Sequence, residues 1–197
     1  MPTRAAIGFR AHSGWAAAVA VVALPDGPAV VARRRIEMVD RKVPGAAQPY
    51  HAAKDLSLVE AAELIAYCGA RASELATDAL HAMTADLRGL GHEVAGSGLL
   101  LASGRALPPL EKILASHAMI HTAEGELFRG ALRAAAANCG LPLTAVKERD
   151  LYARAEPRLQ LTHDAVDQAV ARMGKALGPP WRQDEKYAAL VAWLAAL

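Results

Sequence analysis

Three extended apolar runs open this sequence, and the segments between them are too short to carry a crossover. Arg4 to Arg10 (RAAIGFR), Trp15 to Leu24 (WAAAVAVVAL) and a run from Ala29-Val30-Val31-Ala32 to about Asp40 are separated by Ala11-His12-Ser13-Gly14 and by Pro25-Asp26-Gly27-Pro28. Parallel strands need a connection of a dozen or more residues, so runs joined this tightly pair antiparallel. The Trp15 to Leu24 run, preceded by Arg4 and Arg10, has the look of a secretory h-region, but a turn and a further strand-like run follow it at once. Strand, turn, strand is the better reading. No apolar stretch reaches the roughly 20 residues of a membrane span, so no membrane association and a cytoplasmic location are expected.

Beyond Asp40 the periodicity changes. Val43 to Asp55, with Pro44, Gly45 and Pro49, reads as a connecting loop, and Ser57-x-x-Glu60 is a capping box that opens a long helix. Ala61, Ile65, Cys68, Ala72, Leu75, Ala79, Met83 and Leu87 recur along it at helical spacing, and Gly89 and Gly91 stop it. Val94 to Ser103 is a nearly unbroken apolar run, as a strand covered on both faces requires. A helix is predicted from Pro108-Pro109 to about Asn138, with Gly125 as a kink or break, then a strand over Leu141 to Val146. A short helix around Glu148 to Ala155 follows, then one capped by Thr162 and carrying Val166, Val170, Met173 and Leu177. Gly178-Pro179-Pro180 separates this from an extra C-terminal helix within residues 177–197. The order β-β-β-α-β-α-β-α describes one α/β domain over residues 1–197, a mixed five-stranded sheet with helices on both faces.

That order resembles the ribonuclease H-like fold, and three segments resemble its RuvC-type Holliday-junction resolvase branch. They are Ile7 to Trp15 (IGFRAHSGW), Glu126-Leu127-Phe128-Arg129-Gly130 through Gly140-Leu141-Pro142, and Asp164-x-x-Asp167. The resemblance implies a nuclease in which carboxylates from the first strand, the fourth strand and the last helix hold two divalent metals. Here the first-strand aspartate position holds Arg10, and Val94 to Ser103 contains no acidic residue. Asp164 and Asp167 alone cannot ligate two hard cations, so two-metal nuclease activity is disfavoured.

Other groupings could carry chemistry. His117, His121 and Glu124 fall at i, i+4 and i+7 in a stripe of Leu110, Ile113, Leu114, Ile120, Leu127, Phe128, Ala131 and Ala135, which predicts a buried polar unit. It reads either as a satisfied core network or as part of a site, and the two histidines would need His12, His163 or Asp164 to complete a transition-metal set. His12-Ser13-Gly14 with Arg10 could present an anion cradle or be an ordinary hairpin turn. Arg33, Arg34, Arg35, Arg41 and Lys42 could reach phosphates, although alternate strand residues face opposite sides. His51, His81 and His92 have no companions in sequence.

The net charge of +2 is far from that of a dedicated non-specific nucleic-acid binder, so any such surface must be local. Cys68 and Cys139 lack metal or redox spacing and read as buried free thiols of a reducing compartment. No Walker A motif, dinucleotide fingerprint, nucleophile elbow or H-E-x-x-H is present, and Gly96-Ser97-Gly98 is too short for a phosphate loop. Two expectations follow. One is a non-catalytic ribonuclease H-like protein binding nucleic acid or a protein partner, with no resident cofactor. The other is an enzyme or a small-ligand or metal-binding protein that has rebuilt the site from His12, His117, His121, Glu124 and Arg10.

Overall fold

Strands β1 (Thr3–His12), β2 (Trp15–Leu24) and β3 (Gly27–Glu37) form the expected antiparallel meander in a computed structural model that describes residues 2–102 and 106–197. β4 (His92–Leu101) pairs parallel with β1, and β5 (Leu143–Lys147) parallel with β4, giving the sheet order β3-β2-β1-β4-β5. Ser103, the far end of the expected fourth strand, lies outside the described residues.

Helices cover both faces, and the alternation of β2 sorts its side chains between them. Ala16, Ala18 and Ala20 join the core under helices α2 (Leu58–Gly89) and α4 (His117–Asn138), while Val19 and Val21 join the core under α6 (His163–Leu177) and α7 (Gln183–Ala195). α2 opens on the predicted capping box, with Ser57 accepting from the Glu60 backbone and Glu60 accepting from that of Ser57. The loop before it contains a single turn of helix, α1 (Pro49–Ala52). α5 (Leu151–Leu159) follows β5 through a 3₁₀ turn, Glu148–Asp150.

One expectation about the elements is corrected. The helix predicted from Pro109 is not continuous, and its break is not at Gly125. It ends as α3 (Leu110–Leu114) and restarts at Ser116, whose hydroxyl accepts from the Met119 backbone N–H. The restart shifts the buried face, as described below for the histidines.

The expected C-terminal helix is present as α7. It lies directly on β1, β2 and β4, and every residue from Ala188 to Leu194 is buried. Such contact requires strands without side chains beneath the helix backbone. A Cβ on Gly8 would sit 1.9 Å from the Ala188 carbonyl oxygen, and one on Gly98 would sit 2.5 Å from that of Val191. The glycines around Ser97 therefore serve helix-on-sheet packing, and Ser97 itself bonds the Pro142 carbonyl through Oγ at 3.0 Å.

If this close approach holds the second core together, Gly8→Ala and Gly98→Ala should each destabilise by about 3 kcal/mol, the upper end of the usual cost of overpacking. Gly130→Ala, in helix α4 with open space around it, should be neutral or stabilising by up to about 1 kcal/mol. Denaturant unfolding measures all three, and equal effects would remove the explanation.

Candidate functional site at the C-terminal end of the sheet

The parallel strands β1, β4 and β5 end together, at the side of an α/β sheet where loops gather functional groups. Gly8, Arg10 and His12 lie on the same face of β1, facing α7, while Ile7 and Phe9 face α2 and α4. Because α7 runs antiparallel to β1, its first turn lies at the level of Arg10. That turn is held by the linker before it: Trp181 donates to the Val170 carbonyl at 3.0 Å, and Arg33 donates to the carbonyls of Gly178, Pro179 and Pro180.

The outcome is a closed ionic cluster. Arg10 binds both carboxylate oxygens of Glu148, through Nε at 3.1 Å and a terminal nitrogen at 2.9 Å, and its other terminal nitrogen binds Asp184 Oδ1. His12 Nε2 meets the same Asp184 oxygen at 2.8 Å, and the Arg10 guanidinium lies 5.5 Å from the centre of the Tyr187 ring. Burial by itself would raise the Asp184 carboxyl, but the hydrogen bonds from His12 and Arg10, with their charge, outweigh it and hold the group below its usual range. Burial likewise opposes the charged form of Arg10, and Glu148 and Asp184 overcome it. His12 also stacks on Trp15 with ring centres 4.3 Å apart, and Arg35 lies over the same indole at 3.7 Å.

This arrangement does not fit two divalent metals. Among the described residues the carboxylates in this cluster are Glu148 and Asp184, and both are bound to a guanidinium that would repel a cation. β4 contributes Leu101 to the adjoining concavity, which Ala102, Glu148, Arg149 and Tyr187 complete.

Several predicted site residues lie elsewhere. The helix that supplies an acidic group to the strand ends is α7, so Asp184 takes the place expected of Asp164 and Asp167. Asp164 is exposed in the first turn of α6, and Asp167 accepts from the Tyr152 hydroxyl. Burial, followed by that hydrogen bond and the Asp167 charge, pushes Tyr152 well above the ordinary range. An acidic pair at a helix start does not single out α6, because carboxylates favour the first turn of any helix, α7 included. Gly14 is buried beneath Val39, whose Cγ2 would lie 2.5 Å from an added Cβ, and its carbonyl accepts from the Met38 N–H. Ser13 is exposed beside it.

The predicted buried unit of His117, His121 and Glu124 is divided. Glu124 is wholly buried, but His117 and His121 are exposed, because the first turns of α4 pack on α1 and α3 rather than on the sheet. The partner of Glu124 is His51, which donates to Oε1 from its backbone N–H at 3.2 Å and meets the same oxygen through Nδ1 at 2.9 Å. His117 and His121 face each other with Nε2 atoms 3.1 Å apart, and the His51 ring lies against both. Sequence reasoning missed His51 because only the fold of the loop before α2 brings it there. Arg10 and His12 are not among these residues, so the composite site of His12, His117, His121, Glu124 and Arg10 does not assemble.

Asp184→Asn should destabilise by about 1–3 kcal/mol, since it leaves part of the Arg10 guanidinium unpaired in a half-buried setting. The depressed Asp184 carboxyl also sets a pH dependence. Its contribution is complete above the unfolded value near 3.8 and is lost as the pH falls through the lower folded value. Urea midpoints measured from neutral pH down to about pH 3 should therefore converge for wild type and D184N, and parallel curves would remove the assignment.

No family model matches the sequence, and no curated protein does. Among solved structures, Thermus thermophilus RuvC in complex with Holliday junction substrate matches with a TM-score of 0.52 at 12% identity, over 97% of this chain and 91% of that one. A second Thermus thermophilus RuvC structure matches with a TM-score of 0.52 at 13% identity, over 96% and 92%. The chain thus has a ribonuclease H-like fold, a five-stranded mixed sheet between two helical layers, related in architecture to the RuvC resolvases.

Proposed function

We propose that residues 1–197 act as one non-catalytic ribonuclease H-like domain that binds nucleic acid at the C-terminal end of its sheet. The observation carrying this reading is the position of Arg10, whose guanidinium occupies the centre of the acidic cluster in place of a cation. Guanidinium–carboxylate pairing stabilises the strand ends without supplying a Lewis acid or an activated water. The architectural likeness to a protein solved with a Holliday junction favours a nucleic-acid partner over a protein one.

The candidate phosphate contacts are narrower than the arginine run implied. Arg33 is engaged by carbonyls of the α6–α7 linker, and Arg34 pairs with Asp86 on the opposite face. Arg35, half-exposed over Trp15 and paired among the described residues only with its strand neighbour Glu37, and the exposed Arg41 and Lys42 just past β3 lie at the same end of the sheet as Arg10. The exposed Arg149, after β5, flanks the other side. Such a set positions a phosphate backbone and reads no bases.

Fluorescence anisotropy with branched and duplex DNA should show affinity falling steeply with salt. Arg35→Glu, Arg41→Glu and Lys42→Glu together should reduce the logarithmic salt slope by about 1 for each phosphate that is no longer neutralised. Salt-insensitive binding, or none at low ionic strength, would overturn the nucleic-acid reading. The protein should leave branched DNA, duplex DNA and RNA–DNA hybrids uncut in Mg²⁺ or Mn²⁺. Metal-dependent cleavage abolished by Asp184→Asn or Glu148→Gln would refute the non-catalytic assignment.

A further inference from the structure

We propose that His51, His117 and His121 form a transition-metal site, best suited to Zn²⁺, with Glu124 orienting His51 and a fourth coordination position open to solvent. The site is separate from the Arg10 cluster and does not rest on the nucleic-acid reading.

Three observations carry it. First, each of the three histidines offers a ring nitrogen, and these atoms all lie within 4.8 Å of one another. The His117 and His121 Nε2 atoms are 3.1 Å apart. Nitrogens about 2.0–2.1 Å from a tetrahedral Zn²⁺ stand about 3.3–3.4 Å from each other, so a small opening of this pair accommodates the ion. The i, i+4 spacing on α4 sets these two, and α1 brings the third across from a distant part of the chain.

Second, the tautomer of His51 is directed from behind. The carboxylate of Glu124 can only accept, so Nδ1 carries the hydrogen and Nε2 is left with its lone pair free for a metal. A carboxylate behind a ligating histidine is the usual outer-shell partner of such a ligand, where it fixes the ring and raises its basicity.

Third, Glu124 is incompletely satisfied. Its side chain is 0% exposed, His51 is its only ion-pair partner among the described residues, and Oε2 has no hydrogen-bond partner. A buried carboxylate so placed calls for positive charge nearby. A divalent cation on the far side of the His51 ring supplies it and strengthens the Nδ1–H donated to Oε1. The two exposed histidines on α4 leave the outer side of the ion open to water or to an anion.

The donor set decides the class of metal. Three neutral imidazoles suit Zn²⁺, Co²⁺, Ni²⁺ or Cu²⁺, whereas Mg²⁺ and Ca²⁺ demand oxygen ligands. Bound there, the ion would tie α1 to the start of α4 and fasten the loop between β3 and α2.

The test uses the full chain, freed of metal, titrated with Zn²⁺ by calorimetry and with Co²⁺ by visible absorption. The expected result is one equivalent of each, the Co²⁺ complex with the intense d–d bands of a four-coordinate site, and a Zn²⁺-dependent rise in melting temperature that Mg²⁺ does not produce. His117→Gln and His121→Gln lie at exposed positions and should leave the metal-free melting temperature unchanged. Each should weaken Zn²⁺ by more than the roughly 10–100-fold expected from losing an outer-shell partner, the range predicted for Glu124→Gln. Absence of stoichiometric binding overturns the proposal. So does a His51→Gln variant that binds Zn²⁺ as tightly as wild type, which would reduce the feature to a two-histidine surface pair.

Discussion

The close seating of α7 on the bare backbone of β1 and β4 is the constraint on which the rest of the molecule depends. A helix normally rides on strand side chains, yet Gly8 and Gly98 let the α7 backbone approach until an added methyl would overlap it. The approach buries a full turn and more of α7 on all sides and fixes its register along β1. Asp184 then falls opposite Arg10, one turn beyond the point of closest contact. A helix held further out would not bring that carboxylate within reach of the strand.

With that register set, the chemistry of the strand ends follows from one residue. A carboxylate at Arg10 would have faced Glu148 and Asp184 and made a cluster of like charge, stable only around cations. Arginine at the same position binds Glu148 through both carboxylate oxygens and Asp184 through one, offsets part of that negative charge and helps hold the Asp184 carboxyl below its usual range. The mixed five-stranded sheet thus ends in a cluster whose carboxylates are paired within the chain. Basic and aromatic groups around the rim, among them Arg35 over Trp15, face outward at the same end of the sheet.

The histidine cluster is also at this end. α4 starts after β4 and runs back to the beginning of β5, so its first turns lie at the strand ends, and α1 follows β3 at the same side. The fold thus brings two chemically different groups to one side: an arginine-centred ionic lock facing α7, and imidazoles backed by a buried carboxylate near α2. Each is complete without residues from the other.

The meander, the capping box at Ser57 and the alternation of helices and strands were legible in the sequence because they depend on local patterning and short turns. So was the positive charge at the end of the first strand, since charge type needs no coordinates. Which helix meets the strand ends was not legible. Asp164 and Asp184 both stand in first turns of amphipathic helices, and only the glycine-permitted contact on β1 selects α7. The restart at Ser116 was equally hidden, because a capping serine within a continuous apolar stripe leaves the periodicity nearly intact while moving His117 and His121 to the surface. His51 joins them from a loop with no pattern of its own. Local sequence determined the elements and the charge of the first strand; tertiary packing decided which side chains share a site, because distances between elements are set by how closely their backbones can approach.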